Sequence, residues 1–256
     1  MNIISPNKPY GISLAGKVRD HNEDSFLYTD EPLWQNQLAI VADGIGGNDN
    51  GEIASRLCCQ HMYDLWCKNN AMSINELDKM ETFMLEIMHE ANRLIYQLNI
   101  SRESDSESRF MGTTIVAAAF MPKDIVIVHA GDSRFYDYRS NGKLACLTID
   151  HAPTIEIDPK NQKKYDIAAS LQNLINRSIG TAQHLIEPPK KPFLNTIKRR
   201  PSSRYMLCSD GLTHMVDNEA IATILKNNPD NVRAVNKLIS ACFAAGATDN
   251  VSVILF

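Results

Sequence analysis

The chain has 256 residues, of which 44% are hydrophobic and 22% are charged. This composition is typical of a globular protein and excludes a wholly disordered chain, a collagen-like repeat and a small disulfide-stapled scaffold. The length suits one large core, and we expect residues 1–256 to form a single domain. Thirty acidic residues against 26 basic ones give a net charge of −4, which does not indicate a nucleic-acid-binding protein.

The cysteines and the apolar runs bear on the cellular compartment. The six cysteines include no C-x-x-C pair, which argues against a zinc ligand set and a thioredoxin-type motif. The longest clearly apolar run, Ile115–Met121, is far shorter than the roughly 18 residues of a membrane span. No basic leader followed by an apolar stretch opens the sequence. We therefore expect a cytoplasmic protein with reduced thiols and no membrane partner.

Hydrophobic periodicity predicts two blocks of strands, each followed by helices. Alternating apolar residues indicate strands, and apolar residues recurring every three or four positions indicate helices. Sheet-on-sheet packing covered by helices is expected from this order. In chain order, the predicted elements are strands at Tyr10–Val18, Ser25–Tyr28 and Leu38–Ala42, helices at Glu52–Lys68 and from the capping box Ser73–Glu76 to Leu98, strands at Thr113–Phe120, Ile125–His129, Phe135–Tyr138, Leu144–Thr148 and Tyr205–Cys208, helices at Asp217–Lys226 and Val232–Phe243, and a strand at Val251–Phe256.

Three partial motifs fail as functional sites. Gly11–Lys17 follows the P-loop pattern, but Val18 stands where a Ser or Thr must reach magnesium. No cysteine is followed six positions later by the arginine of a cysteine-dependent phosphatase. His89-Glu90 begins an H-E-x-x-H pattern, but Arg93 occupies its last position, which argues against a zinc site.

Short acidic signatures at strand ends and turns are the strongest chemical pattern. Carboxylates that leave the end of a buried strand are partly desolvated, so a cluster of them must protonate or bind cations. Hard ions such as Mg²⁺ and Mn²⁺ prefer oxygen ligands of this kind. A single acid of this kind is better explained as a cap or turn residue, but all five signatures together favour a metal cluster. They are Glu23-Asp24, Asp43-Gly44, Asp132-Ser133-Arg134, Asp210-Gly211 and Asp249-Asn250.

These acids lie within motifs that resemble those of the metal-dependent protein phosphatases of the protein phosphatase 2C type. The motifs occur in the family's order and nearly span the chain, so the ordered set is specific although each motif alone is weak. The matching segments are RDHNED at Arg19–Asp24, VADGIGG at Val41–Gly47, GEIAS at Gly51–Ser55, GTT at Gly112–Thr114, HAGDSR at His129–Arg134, LTIDH at Leu147–His151, NLINRSIG at Asn173–Gly180, LCSDGLT at Leu207–Thr213 and GATDN at Gly246–Asn250.

The resemblance implies a set of metal ligands. Asp43 matches the family's Asp that bridges two metals. Glu23 and the backbone oxygen of Gly44 match ligands of one metal, and Asp210 and Asp249 match ligands of the other.

Three further residues are assigned by the same resemblance. Asp24 matches an acid that hydrogen-bonds the metal waters. Asp132, together with Asp210, matches the support of a third, weaker metal. Arg19 matches the guanidinium that binds the substrate phosphate, for which a planar bidentate donor is suited.

The resemblance also implies the fold and the reaction. The fold is an α+β four-layer αββα sandwich, in which helix pairs flank two mainly antiparallel sheets, with a small flap at residues 152–180. The family binds two Mg²⁺ or Mn²⁺ ions tightly and a third one more weakly. A hydroxide that bridges the two tight ions attacks the phosphate in line, and no phosphoenzyme forms. The implied function is a compact, monomeric, bacterial-type phosphatase of phosphoserine and phosphothreonine proteins that opposes a Ser/Thr kinase. The alternative is a non-catalytic relative that binds phosphoproteins as a regulator or scaffold.

Two departures from the family pattern affect catalysis and specificity. Ile45 stands where some members carry a His proposed to protonate the leaving group, so His21 and a metal-bound water are the candidate donors. The segment 152–172 lacks the family's glycine and His-Pro pair. Residues 159–204 carry ten basic residues against two acidic ones. This charge favours steering of acidic phosphoproteins towards the site, and a solvated lysine-rich loop is the equally weighted alternative.

Overall fold

A computed structural model describes residues 8–31, 35–46, 50–102, 110–151, 177–187 and 192–256. The predicted flap falls largely outside these residues, since 152–176 are not among them. The strands are β1 Tyr10–Leu14, β2 Asp24–Tyr28, β3 Gln37–Ile45, β4 Gly112–Thr113, β5 Ile115–Phe120, β6 Asp124–Ala130, β7 Arg134–Tyr138, β8 Leu144–Cys146, β9 Leu194–Lys198, β10 Arg204–Cys208 and β11 Val251–Leu255. The helices are α1 Asn50–Lys68, α2 Leu77–Arg102, α3 Asp210–Thr213, α4 Asn218–Asn227 and α5 Asn231–Ala244.

The strands form two antiparallel sheets. One sheet has the order β1-β11-β10-β7-β8, and the other has the order β2-β3-β5-β6-β9 with β4 beside β3. Strand alternation divides the core into layers. In β3, Ala39 and Val41 pack between the sheets, whereas Leu38 and Ile40 pack against α1 and α2.

The other sheet follows the same rule. In β10, Tyr205 and Leu207 face the opposing sheet, while Met206 and Cys208 face α4 and α5. The result is a four-layer αββα sandwich, which confirms the predicted fold class. Cys208 is fully buried in β10, as expected of a packing residue, and all six cysteines are free.

Element boundaries differ from the predictions where turns and local contacts intervene. β1 ends at Leu14 instead of Val18 because Gly16 adopts φ 79° and turns the chain. α2 begins at Leu77, since Ala71–Ser73 form a short 3₁₀ turn before it. The predicted methionine stripe is core: Met80, Met84 and Met88 of α2 are fully buried. The predicted surface loop at 101–109 is in part helical, because α2 continues to Arg102, and residues 103–109 lie outside the described ranges.

Hydrophobic periodicity did not predict two of the observed elements, β9 and α3. β9 lies beside β6 and alternates only weakly, with Leu194 and Ile197 half-buried between polar residues. α3 has four residues, too few to show a helical period. No helix in the described part of the chain is long and apolar enough to cross a membrane.

Candidate metal centre

Two acids face each other across the start of the second sheet. Asp24 opens β2, and its register partner in β3 is Asp43. Directly opposite residues of an antiparallel pair lie on the same face, and like charges in that arrangement repel. β3 continues through Asp43 to Ile45, so this acid lies within a strand instead of following one, as its sequence context had suggested.

Asp132 and Asp210 complete an acidic cluster around Asp43. Burial raises the pKa of Asp43 well above its usual range, and the charges of Asp24 and Asp210 add to the effect. Burial, with the charges of Asp210 and Asp150, raises the pKa of Asp132 to about 7. Burial also raises the pKa of Asp24 to about 7. Asp24, Asp43 and Asp132 are therefore held where the charged form is unfavourable without a cation.

Three carboxylate oxygens of the acidic cluster are available to bind a cation. Asp24, Asp132 and Asp210 each have one buried Oδ1 that forms no hydrogen bond with a described residue. Buried polar groups are normally satisfied, so these oxygens fit hard divalent ions. Among the described residues, no three Asp, Glu, His or Cys side chains form a ready-made cage for an ion.

Glu23 lies beside the cluster at the start of α1. A Cβ on Gly51 would come within 2.6 Å of the Glu23 Oε1 atom, so the absent side chain leaves room for this carboxylate. A Cβ on Gly44 would lie 2.3 Å from the Gly51 oxygen, so the β3 backbone also reaches this point. The Ser55 hydroxyl donates to the Glu23 carbonyl at 2.6 Å, and the Glu23 N–H donates to Asn250 Oδ1 at 2.8 Å.

Asp249 is paired with Arg19. The Arg19 guanidinium donates to Asp249 Oδ2 at 2.9 Å, and the Asn250 N–H donates to Asp249 Oδ1 at 2.8 Å. The hydrogen bond to Asp249 raises the pKa of Arg19, and the charges of Glu23 and Asp43 contribute at longer range. The predicted phosphate ligand thus lies beside the predicted metal ligands.

The sequence model of the protein phosphatase 2C family matches residues 17–247. The chain belongs to this family. The serine/threonine phosphatase stp of Listeria welshimeri is 31% identical over 244 residues, which cover 94% of this chain and 91% of that protein. The crystal structure of the serine/threonine phosphatase PstP/Ppp of Mycobacterium tuberculosis matches with a TM-score of 0.75 and 27% identity over 97% of each chain.

A second crystal structure contains metal. The PstP catalytic domain in complex with two manganese ions matches with a TM-score of 0.74 and 27% identity, covering 97% of this chain and 96% of that chain. The present protein phosphatase 2C member is accordingly a metal-dependent serine/threonine phosphatase.

Hydroxyl groups that the sequence analysis did not single out hold the acids of this phosphatase in place. The Ser209 hydroxyl donates to Asp24 Oδ2 at 2.7 Å. Thr114 accepts from the Asp43 N–H at 3.1 Å and bonds the Ser133 hydroxyl at 2.7 Å. Both lie within recognised motifs, LCSDGLT and GTT, but their contacts join residues far apart in sequence. Only the tertiary structure therefore reveals them.

Asn250 organises the loop that carries Arg19 and His21. Its side-chain amide donates to the carbonyls of Ala15 at 3.0 Å and His21 at 2.8 Å, while its oxygen accepts from the Glu23 N–H. One amide therefore joins three points of this loop to the start of β11. The position of Asn250 in the family motif GATDN was the sequence feature that could have indicated this role.

Two histidines lie near the phosphatase site, and one of them was not predicted. His21 is exposed in the Arg19 loop. His214 Nδ1 lies 3.4 Å from Asp210 Oδ2, one helical turn away. Ile45, at the end of β3, provides no proton donor. The periodicity of the sequence did not indicate α3, so the contact of His214 with Asp210 was not expected.

Proposed function

We propose that this phosphatase hydrolyses phosphoserine and phosphothreonine in proteins and opposes a Ser/Thr kinase in the cytoplasm. The observation that carries the proposal is the cluster of buried carboxylates with unpaired oxygens beside an arginine. Arginine suits a phosphate because its planar fork matches phosphate oxygens. The names of the curated relatives support the class of substrate.

We assign the ions to the acids as the family pattern suggests. Glu23, Asp43 and the Gly44 carbonyl would hold one Mg²⁺ or Mn²⁺, and Asp43, Asp210 and Asp249 would hold the second. The two manganese ions in the PstP catalytic domain support this number. Bound divalent ions supply positive charge for phosphoryl oxygens and lower the pKa of coordinated water.

A third, weaker ion would lie on Asp132 with Asp210. Their unpaired Oδ1 atoms support this assignment. Asp132 follows β6 of one sheet, and Asp210 follows β10 of the other sheet. An ion held by both carboxylates would therefore link the two sheets. We expect this site to fill only at higher metal concentration than the first two.

The protein's own groups position and neutralise the substrate. Arg19 binds the phosphate, for which its guanidinium must exchange the Asp249 carboxylate for phosphate oxygens. Its side chain is 52% exposed, so the guanidinium is accessible to a substrate phosphate. Asp24, fixed by the Ser209 hydroxyl, orients water at the acidic cluster. His21 is the candidate proton donor to the leaving serine or threonine oxygen.

We further propose that residues 1–256 act as one monomeric domain, with a flap at 152–180 beside the site. The continuity of the two sheets from β1 to β11 supports a single domain. Residues 152–176 of the flap lie outside the described part of the chain, and its three lysines, Lys160, Lys163 and Lys164, are the reason to assign it a part in substrate choice.

The test is hydrolysis of para-nitrophenyl phosphate and of a phosphothreonine peptide with Mn²⁺, with Mg²⁺ and with EDTA. We expect turnover of both substrates with metal and none with EDTA. Asp43→Asn and Asp210→Asn should abolish turnover while circular dichroism shows an intact fold. Peptide binding without turnover, in the presence of either metal, would favour the non-catalytic phosphoprotein-binding alternative.

A further inference from the structure

A basic cavity of about 360 Å³ lies at the edge of the sandwich opposite the acidic cluster. β10 connects the two places: Arg204 at its start lines the cavity, and Cys208 at its end precedes Asp210. Roughly 13 Å of strand separates these ends. Among the described residues, the charged side chains that line the cavity are Lys8, Arg199, Arg200 and Arg204, and no lining side chain carries a carboxylate.

Two of these cations have a carboxylate partner. Lys8 lies 3.5 Å from Asp30, in an exposed pair. Arg200 lies 2.7 Å from the buried carboxylate of Asp137. These pairs make the cavity less positive but leave its other two cations without a counter-ion.

Arg199 and Arg204 form no ion pair with any described residue. Arg199 donates to the Met121 carbonyl at 3.2 Å and lies over the Phe120 ring at 5.7 Å. Arg204 donates to the carbonyls of Leu225 and Asn228, and Asp230 acts on it only at longer range. Burial lowers the pKa of both guanidinium groups, because nothing compensates their desolvation fully.

Two residues of the cavity wall each have a buried polar atom that no described residue bonds. These atoms are Ser203 Oγ and Arg204 Nη2. Pro9 and Phe256 supply apolar surface to the same cavity. A volume of this size accommodates an organic ligand, since small-molecule sites begin at about 300 Å³.

We propose that this cavity binds a small phosphate monoester, with the phosphate against Arg199 and the organic part against the apolar wall. Phosphate is favoured because guanidinium groups bind it through parallel hydrogen bonds and a buried oxyanion would compensate the desolvated charges. The site is separate from the acidic cluster and does not depend on its metals.

Isothermal titration with adenosine monophosphate and with inorganic phosphate tests the proposal. EDTA is present throughout, so that metal at the acidic cluster does not bind either probe. We expect saturable binding that weakens about tenfold in Arg199→Met and measurably in Lys8→Ala. Tighter binding of the nucleotide than of inorganic phosphate supports the role of the apolar wall, and equal binding of the two contradicts it.

Two variants serve as controls. Arg19→Ala removes the cation of the acidic cluster, and Lys237→Ala removes an exposed charge on α5; both should bind the probes as the wild type does. Lys8 is exposed, so Lys8→Ala tests the site even where Arg199→Met does not fold. The proposal is overturned by absence of saturable binding, by binding that survives both Arg199→Met and Lys8→Ala, or by loss of binding in Arg19→Ala.

Discussion

The guanidinium of Arg19 and the carboxylate of Asp249 form a hydrogen-bonded ion pair at 2.9 Å. We assign one of these groups to the substrate phosphate and the other to a metal ion. Each ligand therefore competes with the pair. When neither ligand is bound, the pair joins the Arg19 loop to the residues just before β11.

Replacement of Arg19 by alanine should lower kcat/KM for a phosphothreonine peptide by about 10- to 100-fold, because a charge-assisted hydrogen bond contributes about 1.5–3 kcal/mol. The Mn²⁺ concentration for half-maximal activity should not rise, since Asp249 loses a competitor. Steady-state kinetics at several Mn²⁺ concentrations measure kcat/KM and the Mn²⁺ concentration for half-maximal activity. Arg93→Ala, on the outer face of α2, is the control, and an unchanged kcat/KM in Arg19→Ala contradicts the assignment.

The metal-free protein should lose stability as pH rises. Its Asp132 has a pKa of about 7 when folded and about 3.9 when unfolded. The folded state therefore binds the proton more tightly, and this contribution is complete below about pH 4 and lost as pH rises through about 7.

The asparagine of Asp132→Asn cannot ionise. In EDTA, the Tm of the wild type should therefore fall more than the Tm of this variant between pH 5 and pH 8. Thermal melts at four pH values measure the difference, with Asp20→Asn as the control for an exposed carboxylate. Mn²⁺ should restore the wild type at pH 8. A Tm difference that stays constant with pH rejects the burial of Asp132 as described.

Gly44→Ala should disable the metal site. The new Cβ would lie 2.3 Å from the Gly51 oxygen and 2.6 Å from the Glu23 oxygen, both backbone atoms, so the strand or the helix start must move. We expect loss of Mn²⁺-dependent activity and a stability loss of about 3 kcal/mol.

Gly142→Ala is the matched control for this change. Gly142 has φ +80° but nothing within 4 Å of its Cβ position, so only the backbone preference opposes alanine. Gly142→Ala should lower the free energy of unfolding by about 1 kcal/mol and leave the activity unchanged. Urea denaturation and turnover numbers compare the two; equal effects would show that crowding at Gly44 is unimportant.

His21→Gln should affect substrates according to their leaving group. A serine alkoxide needs protonation, whereas para-nitrophenolate does not. We therefore expect kcat to fall about 100-fold for a phosphoserine peptide and little for para-nitrophenyl phosphate. His214→Gln, near Asp210, is tested in parallel; if it alone shows the selective loss, His214 is the donor, and if neither does, coordinated water is.

The three lysines of the flap should make activity on acidic phosphopeptides sensitive to salt. Lys160, Lys163 and Lys164 replaced together by alanine should lower kcat/KM for an acidic phosphopeptide at low ionic strength and flatten its salt dependence, because screening acts on long-range steering. A neutral phosphopeptide is the control substrate. Unchanged rates and salt dependence for the acidic peptide would support a merely solvated loop.

The particular elements show where sequence reasoning succeeds. Long helices with a persistent stripe, such as α2 with its buried methionines, and apolar strands such as β5 are visible because one face or both faces are buried. β9 and α3 are not visible, since a half-buried edge strand and a single helical turn leave too few apolar positions to form a pattern.

The sequence by itself determined the family, the reaction class and the acids to examine, because ordered motifs and residue chemistry are local properties. Only the tertiary structure decided that Asp24 faces Asp43, that Arg19 pairs with Asp249, and that Ser209 holds Asp24. Those contacts join residues far apart in the chain. Their distances, burial and pKa shifts exist only once the two sheets have packed together.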